Sequence, residues 1–162
     1  MTAPVRSWEI VVGKYLGGLV IMFIIVALLM VLPVILDFFA ASAGTGGAGG
    51  IEWQTTLAAY FGLFLWAAAA LAVGMFVSSL TNSQIVAAVI PFLLLPLLWL
   101  ASWMAGGFDG SMREVVNYIS ASQHLINFVR GLFELKDIVY YLSWIVLAVF
   151  LTHRAVEAQR WA

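Results

Sequence analysis

The stretch WQTTLAAYFGLFLWAAAALAVGMFVSSLTNSQIVAAVIPFLLLPLLWLASWMAGGF, Trp53 to Phe108, runs for 56 residues without a charged side chain. A helix rises about 1.5 Å per residue, so roughly 20 residues cross a hydrocarbon core of about 30 Å. The stretch is too long for one crossing and long enough for two. The polar run Ser78-Ser79-Leu80-Thr81-Asn82-Ser83-Gln84 divides it, which predicts helices over 54–78 and 84–105. Membrane strands would alternate apolar and polar residues over about ten positions. Leu63 to Phe76 is apolar on every side, so the pattern is helical.

Working outward, Tyr15 to Leu36 is 22 residues without a charge and predicts a span over 15–38. Ala41-Ser42-Ala43 resembles a leader cleavage site, but this apolar core exceeds the usual 7–15 residues of a signal peptide. Ile138 to Thr152 is 15 residues, short for a crossing. It becomes adequate over 137–153 if Lys136, Asp137 and His153 reach from its ends to the interface. The expectation is an all-α, polytopic membrane protein with about four transmembrane helices, residues 1–162 forming one transmembrane domain.

Composition agrees. Of 162 residues, 64% are hydrophobic and 9% charged, with a net charge of −1 and no cysteine. A chain this small cannot hide so much apolar surface from water, which excludes a soluble globular domain. The charge balance gives no footprint for nucleic acid. The lack of cysteine excludes disulfides, Cys-ligated zinc, iron–sulfur clusters and thiol nucleophiles. Arg6 and Lys14 precede the first span, and Arg154 and Arg160 follow the last. Four spans put both ends on one side, which the positive-inside rule makes cytoplasmic. Arg113, Arg130 and Lys136 fall on the other side.

Between the spans, Ala43 to Gly50 reads AGTGGAGG. It lacks the lysine of a phosphate-binding loop and reads as a flexible linker. Met1 to Lys14 reads as a short amphipathic helix at the cytoplasmic face. Val5, Trp8 and Val12 share one side and Arg6, Glu9 and Gly13 another. It is either an interfacial anchor or a docking surface for a cytoplasmic partner. Gly13/Gly17 and Ala70/Gly74 have the spacing that permits close helix contact in lipid. Pro91 and Pro96 each remove a backbone donor from the third span, pointing to a bent helix beside a pathway.

Phe108 to Asp137 reads as an outer amphipathic segment, with Leu125, Phe128, Val129 and Leu132 on its apolar side. Gln123, Asn127, Arg130 and Glu134 fall opposite. His124 has no second histidine nearby, so it reads as a hydrogen-bonding residue rather than a metal ligand; no metal site or cofactor is expected. No span interior carries an ionisable residue, and no serine–histidine–acid set converges. Any transport therefore draws its energy from outside the chain, and no catalytic chemistry is expected of it.

Thr2 to Leu16 (TAPVRSWEIVVGKYL) resembles the cytoplasmic segment of type-2 ABC transporter permeases, especially the subgroup named for gliding motility. So do Leu71–Ala88 (LAVGMFVSSLTNSQIVAA), Ile119–Gly131 (ISASQHLINFVRG) and Lys136–Ser143 (KDIVYYLS), in that order along the chain. The resemblance implies a six-span fold, with a coupling helix that touches a separate ATPase and a re-entrant segment outside. Pro4, Val5, Arg6, Trp8 and Glu9 would then couple to the ATPase, and Pro91 and Pro96 would lie on the pathway helix. Ser120, His124, Phe128, Arg130 and Gly131 would belong to the outer re-entrant segment. The family's first two spans have no counterpart here, so the chain would be the C-terminal four spans, with Met1 inside the coupling motif.

The implied function is the permease subunit of an ATP-binding-cassette exporter in a bacterial-type inner membrane. Its expected partners are an ABC ATPase subunit, a second permease subunit (homo- or heterodimer) and the lipid bilayer. The alternative is a small non-transporting membrane scaffold. A secondary carrier is disfavoured by the lack of intramembrane charge. No side chain names a substrate.

Overall fold

The computed structural model describes residues 6–42, 51–81, 83–104, 107, 110 and 120–161. The helices are α1 (Ser7–Leu29), α2 (Val31–Ser42), α3 (Trp53–Ser79), α4 (Gln84–Met104), α5 (Ala121–Val129) and α6 (Leu135–Trp161). Among the described residues there is no strand. Three helical stretches are long and apolar enough to cross a membrane, Ser7–Ala40, Trp53–Ser79 and Leu135–Gln159. The fourth expected span corresponds to α4, which has 21 residues and is continuous through both Pro91 and Pro96.

α3 is the hub, packing against α1, α4, α5 and α6. Its buried stripe is made of small residues, Ala58, Gly62, Ala68, Ala69 and Ala72, with Leu65, Val73 and Val77 between them. Small side chains let neighbouring backbones come close, which drives helix association in lipid, where exclusion of water does not. Tyr15 of α1 crosses to this stripe, its hydroxyl donating to the Ala68 carbonyl at 3.1 Å.

The N-terminal helix differs from the expectation. Ser7 to Lys14 is no separate amphipathic element but the opening turns of α1, continuous with the span. Nothing in the segment ends a helix: no proline follows, and Gly13, Gly17 and Gly18 are tolerated within it. The residues turned inward are Val11 and Tyr15, while Trp8 stands 48% exposed.

The one interruption, at Met30, has a local cause. Pro33 has no N–H to give the carbonyl four residues back, and that carbonyl belongs to Leu29. The Tyr60 hydroxyl of α3 donates to it instead, at 2.9 Å. The helical path is therefore interrupted there and pinned to α3 at the same point.

The glycine pairs also differ from expectation. A side-chain carbon added at Gly13, Gly17 or Gly74 would meet nothing within 4 Å. The close approaches are elsewhere. At Gly62 such a carbon would lie 2.5 Å from Phe128 Cβ, and at Gly18 2.7 Å from a Leu71 methyl. Spacing alone marks a helix able to accept a neighbour without saying where the neighbour is.

Candidate functional site

Each end of the bundle carries expected site residues. At the end holding the first turns of α1, the chain's opening and closing helices meet. Ile10, Val11 and Lys14 of α1, Met75 and Ser78 of α3, and Thr152 and Val156 of α6 line a cleft of about 150 Å³. Gln159 near the end of α6 donates to the Ser79 carbonyl at 2.8 Å, satisfying an orphan group at the last turn of α3. Arg6, Trp8 and Glu9 lie beside this cleft along α1, all exposed. Glu9 has work within the chain, for its carboxylate accepts the Arg6 backbone N–H at 3.1 Å and closes the first turn. Pro4 and Val5 lie outside the described residues.

At the opposite end α5 is tucked between α3, α4 and α6. It begins after Ser120, whose hydroxyl lies 2.9 Å from that of Ser122. Ser122 in turn donates to the Trp99 carbonyl of α4 at 3.2 Å. α5 ends in a glycine cap: Gly131 has φ 77°, its N–H reaches the Phe128 carbonyl at 2.9 Å, and the Leu132 N–H reaches Asn127 at 2.9 Å. This left-handed turn favours glycine. A side chain there would also meet Thr55 Oγ1 at 2.9 Å. The cap reverses the chain, so that α6 starts after three more residues and runs back past α5.

That reversal aims Asp137, in the first turn of α6, at α5. His124 Nδ1 lies 2.6 Å from Asp137 Oδ1, and the Asn127 amide donates to Oδ2 at 2.9 Å. His124 and Asn127 are three residues apart and therefore share a helix face. Asp137 is 0% exposed and His124 4%. One turn on, the Tyr140 ring stacks on the imidazole with centroids 3.9 Å apart, and the Tyr141 hydroxyl donates to the Ala121 carbonyl at 2.8 Å. A buried carboxylate needs such compensation. It has donors on both oxygens, and the N-terminal end of α6 favours its charge.

Two expectations are corrected here. Asp137 does not reach out to the membrane interface; its short side chain points inward, because α5 folds back and offers two donors. An ionisable residue at the end of the last span is therefore buried, although it still lies in the first turn of α6 rather than in the span's interior. The outer segment also buries a face shifted from the expected one, which keeps Leu125 and Phe128. Ser122, His124, Leu125 and Phe128 are inside, whereas Val129 and Leu132 are exposed. Asn127 faces Asp137 rather than water, since satisfying a buried acid outweighs the hydropathy of one residue.

Of the expected outer residues, His124 bonds Asp137, Ser120 lies beside Ser122, Phe128 sits against Gly62 and Gly131 against Thr55, and Arg130 is exposed. Asp137 and Asn127 were missed; the available signal was the polar pair at i, i+3 preceding an acid in the next helix's first turn. Pro91 is half-buried and Pro96 exposed on α4. The segment 108–109 and 111–119, and the linker 43–50, lie outside the described residues. Among the described residues, no three His, Asp or Glu side chains are grouped to hold a metal ion.

The bundle defines an all-α, multi-pass membrane protein whose long helices meet through small residues. Residues 1–160 match the family model described as ABC-2 family transporter protein. The chain belongs to the ABC-2 transporter family and is a permease component of an ABC transporter. No curated protein and no solved structure matches the chain.

Proposed function

We propose that this chain is the membrane-spanning subunit of an ATP-driven exporter, energised by an ATPase carried on a separate polypeptide. The observation that carries this reading is the family match over residues 1–160. The ATPase docks at the end where α1 begins and α6 finishes, on Pro4, Val5, Arg6, Trp8 and Glu9. Trp8 supplies an apolar anchor, and its exposure at the tip of α1 suits that role. Glu9 supplies a charge, in addition to closing its own helix turn. Movement of the ATPase tilts α1, and the bundle alternates between openings to the two sides.

Both termini face the cytoplasm in this scheme, the membrane is of the bacterial inner type, and a second permease subunit completes the pathway. α4, with Pro91 and Pro96, borders it. The resemblance to the gliding-motility subgroup belongs to the same proposal. The test is co-purification. The wild-type chain, solubilised in mild detergent from its native cells, should bring an ABC ATPase with it. Glu9→Lys and Trp8→Ala should lose it. Retention by both variants would remove these residues from the docking surface.

A further inference from the structure

The apolar belt of the bundle is shorter along α6 than along α1 and α2. The charge-free run in α6, Ile138 to Thr152, is 15 residues, about 22 Å, against 22 residues, about 33 Å, from Tyr15 to Leu36. Long side chains do not make up the difference. Asp137 turns inward, Lys136 pairs with Glu134, and Arg154 folds back over the Phe150 ring at 5.7 Å. The two runs share a floor, since Lys14, Ser78 and Thr152 line one cleft. The difference therefore lies at the opposite end.

Contacts with α3 locate it. The Tyr60 hydroxyl meets the Leu29 carbonyl, and the Trp53 indole N–H donates to Asp37 at 3.2 Å. α2 thus climbs beside the first turns of α3, with Val31, Leu32, Val34, Ile35 and Leu36 exposed along it. From Leu29 to Leu36 is seven residues, about 10 Å. The turn between α5 and α6 fills the same layer differently. Gly131 sits against Thr55 and Phe128 against Gly62, so α5 rises toward the start of α3. Asp137, bonded to His124 and Asn127, therefore lies no higher than Gly62. Above it the turn exposes Arg130 and the Glu134–Lys136 pair among Leu132, Phe133 and Leu135. Such a mixture suits the headgroup region, whereas the unbroken apolar face of α2 suits hydrocarbon.

Exposed charge is costly in hydrocarbon, and a bilayer thins locally beside a short apolar span. We propose that the leaflet at this end dips beside the α5–α6 turn, bringing headgroups and water about 10 Å deeper there than beside α2. The Glu134–Lys136 pair holds the headgroups down, and α2 holds the leaflet at full height. The surface around the turn is thus fitted to a thin bilayer. The proposal rests on the chain's place in a membrane and not on transport.

The chain has no cysteine, so one introduced thiol reports alone. Leu32 and Leu132 are both exposed. Leu32 lies between the Leu29 and Asp37 contacts with α3, and Leu132 between Gly131 at Thr55 and Phe133 at Phe61, so the two occupy one layer. Leu32→Cys and Leu132→Cys are labelled with a charged maleimide in phosphatidylcholine nanodiscs, each rate divided by that of the same chain unfolded in sodium dodecyl sulfate. Leu132→Cys should label more than about tenfold faster, because a charged reagent enters hydrocarbon only at great cost. Lipids with longer acyl chains should slow it about threefold and leave Leu32→Cys protected. Glu134→Leu combined with Lys136→Leu should slow it by a similar factor in the shorter lipids. Equal rates at the two positions, both slow or both fast, would overturn the dip. So would a rate at Leu132→Cys indifferent to chain length, which is the behaviour of a wet recess walled by protein. An unchanged rate in the Leu variants would overturn the role of the ion pair. No arm needs an ATPase, so a chain that proves not to transport leaves the result standing.

Discussion

Where α5 meets α6, Asp137 is fully buried with both carboxylate oxygens bonded; where α1 begins, Trp8 is 48% exposed and Ile10 53%. The first end is completed by its own chain. The second presents apolar and charged side chains on opening turns that carry no lock of that kind. The same contrast runs along the helices. Of the most apolar stretch of α1 and α2, 6% is buried within the chain, against 39% for α3. A bundle that moves around α3 needs one end that holds itself together and one that something else can take hold of.

The comparison can be broken hardest at Gly62. Its neighbour there is Phe128 Cβ, close to the backbone and unable to swing away. Gly62→Val should expel α5 and destabilise the protein by about 3 kcal/mol, the upper part of the range for overpacking, read as a fall in unfolding temperature in detergent. An unchanged temperature would mean that α5 is not seated on α3. Asp137→Ala comes close behind. It removes the acceptor that buried His124 and half-buried Asn127 share, for a loss of about 3 kcal/mol. The same measurement on Glu9→Ala, at the other end, should move stability by less than about 1 kcal/mol, because its contact is exposed.

Much of this fold could be read from the order of residues. The charge-free stretch from Trp53 predicted helices over 54–78 and 84–105, and α3 and α4 lie within a residue of those bounds at each end. An apolar segment has few alternatives in a membrane, and the polar run after Val77 has to leave it. α6 extends past the expected 153 to Trp161, because Arg154 and Glu157 pair along its exposed side at 3.4 Å and nothing there ends a helix. The lock at Asp137 was not legible. An acid beside a lysine at a span end ordinarily turns to water, and only the reversal at Gly131 brings two donors to it. The stripe of α3 that receives Phe128 was equally hidden: Ala58 and Gly62 have the familiar spacing of four, but spacing does not say which aromatic ring fills the gap.

A smaller effect tests the interruption between α1 and α2. Tyr60→Phe removes the donor that Pro33 makes necessary at the Leu29 carbonyl, and should cost about 1 kcal/mol. Pro33→Ala restores an N–H four residues from that carbonyl, so the double variant should lose less than the two singles combined. Strict additivity would separate the proline from the tyrosine. Trp8→Ala should have the smallest effect on stability, within about 0.5 kcal/mol, as for most exposed positions.

The direct test of the account sets the two ends side by side, measuring the ratio of ATPase to permease in complexes purified from Trp8→Ala and from Asp137→Asn. The account predicts that Trp8→Ala loses the ATPase while unfolding at the wild-type temperature. Asp137→Asn should keep the ATPase in its folded fraction while unfolding earlier. Full ATPase on Trp8→Ala, or its loss from folded Asp137→Asn, would contradict the division of labour between the ends.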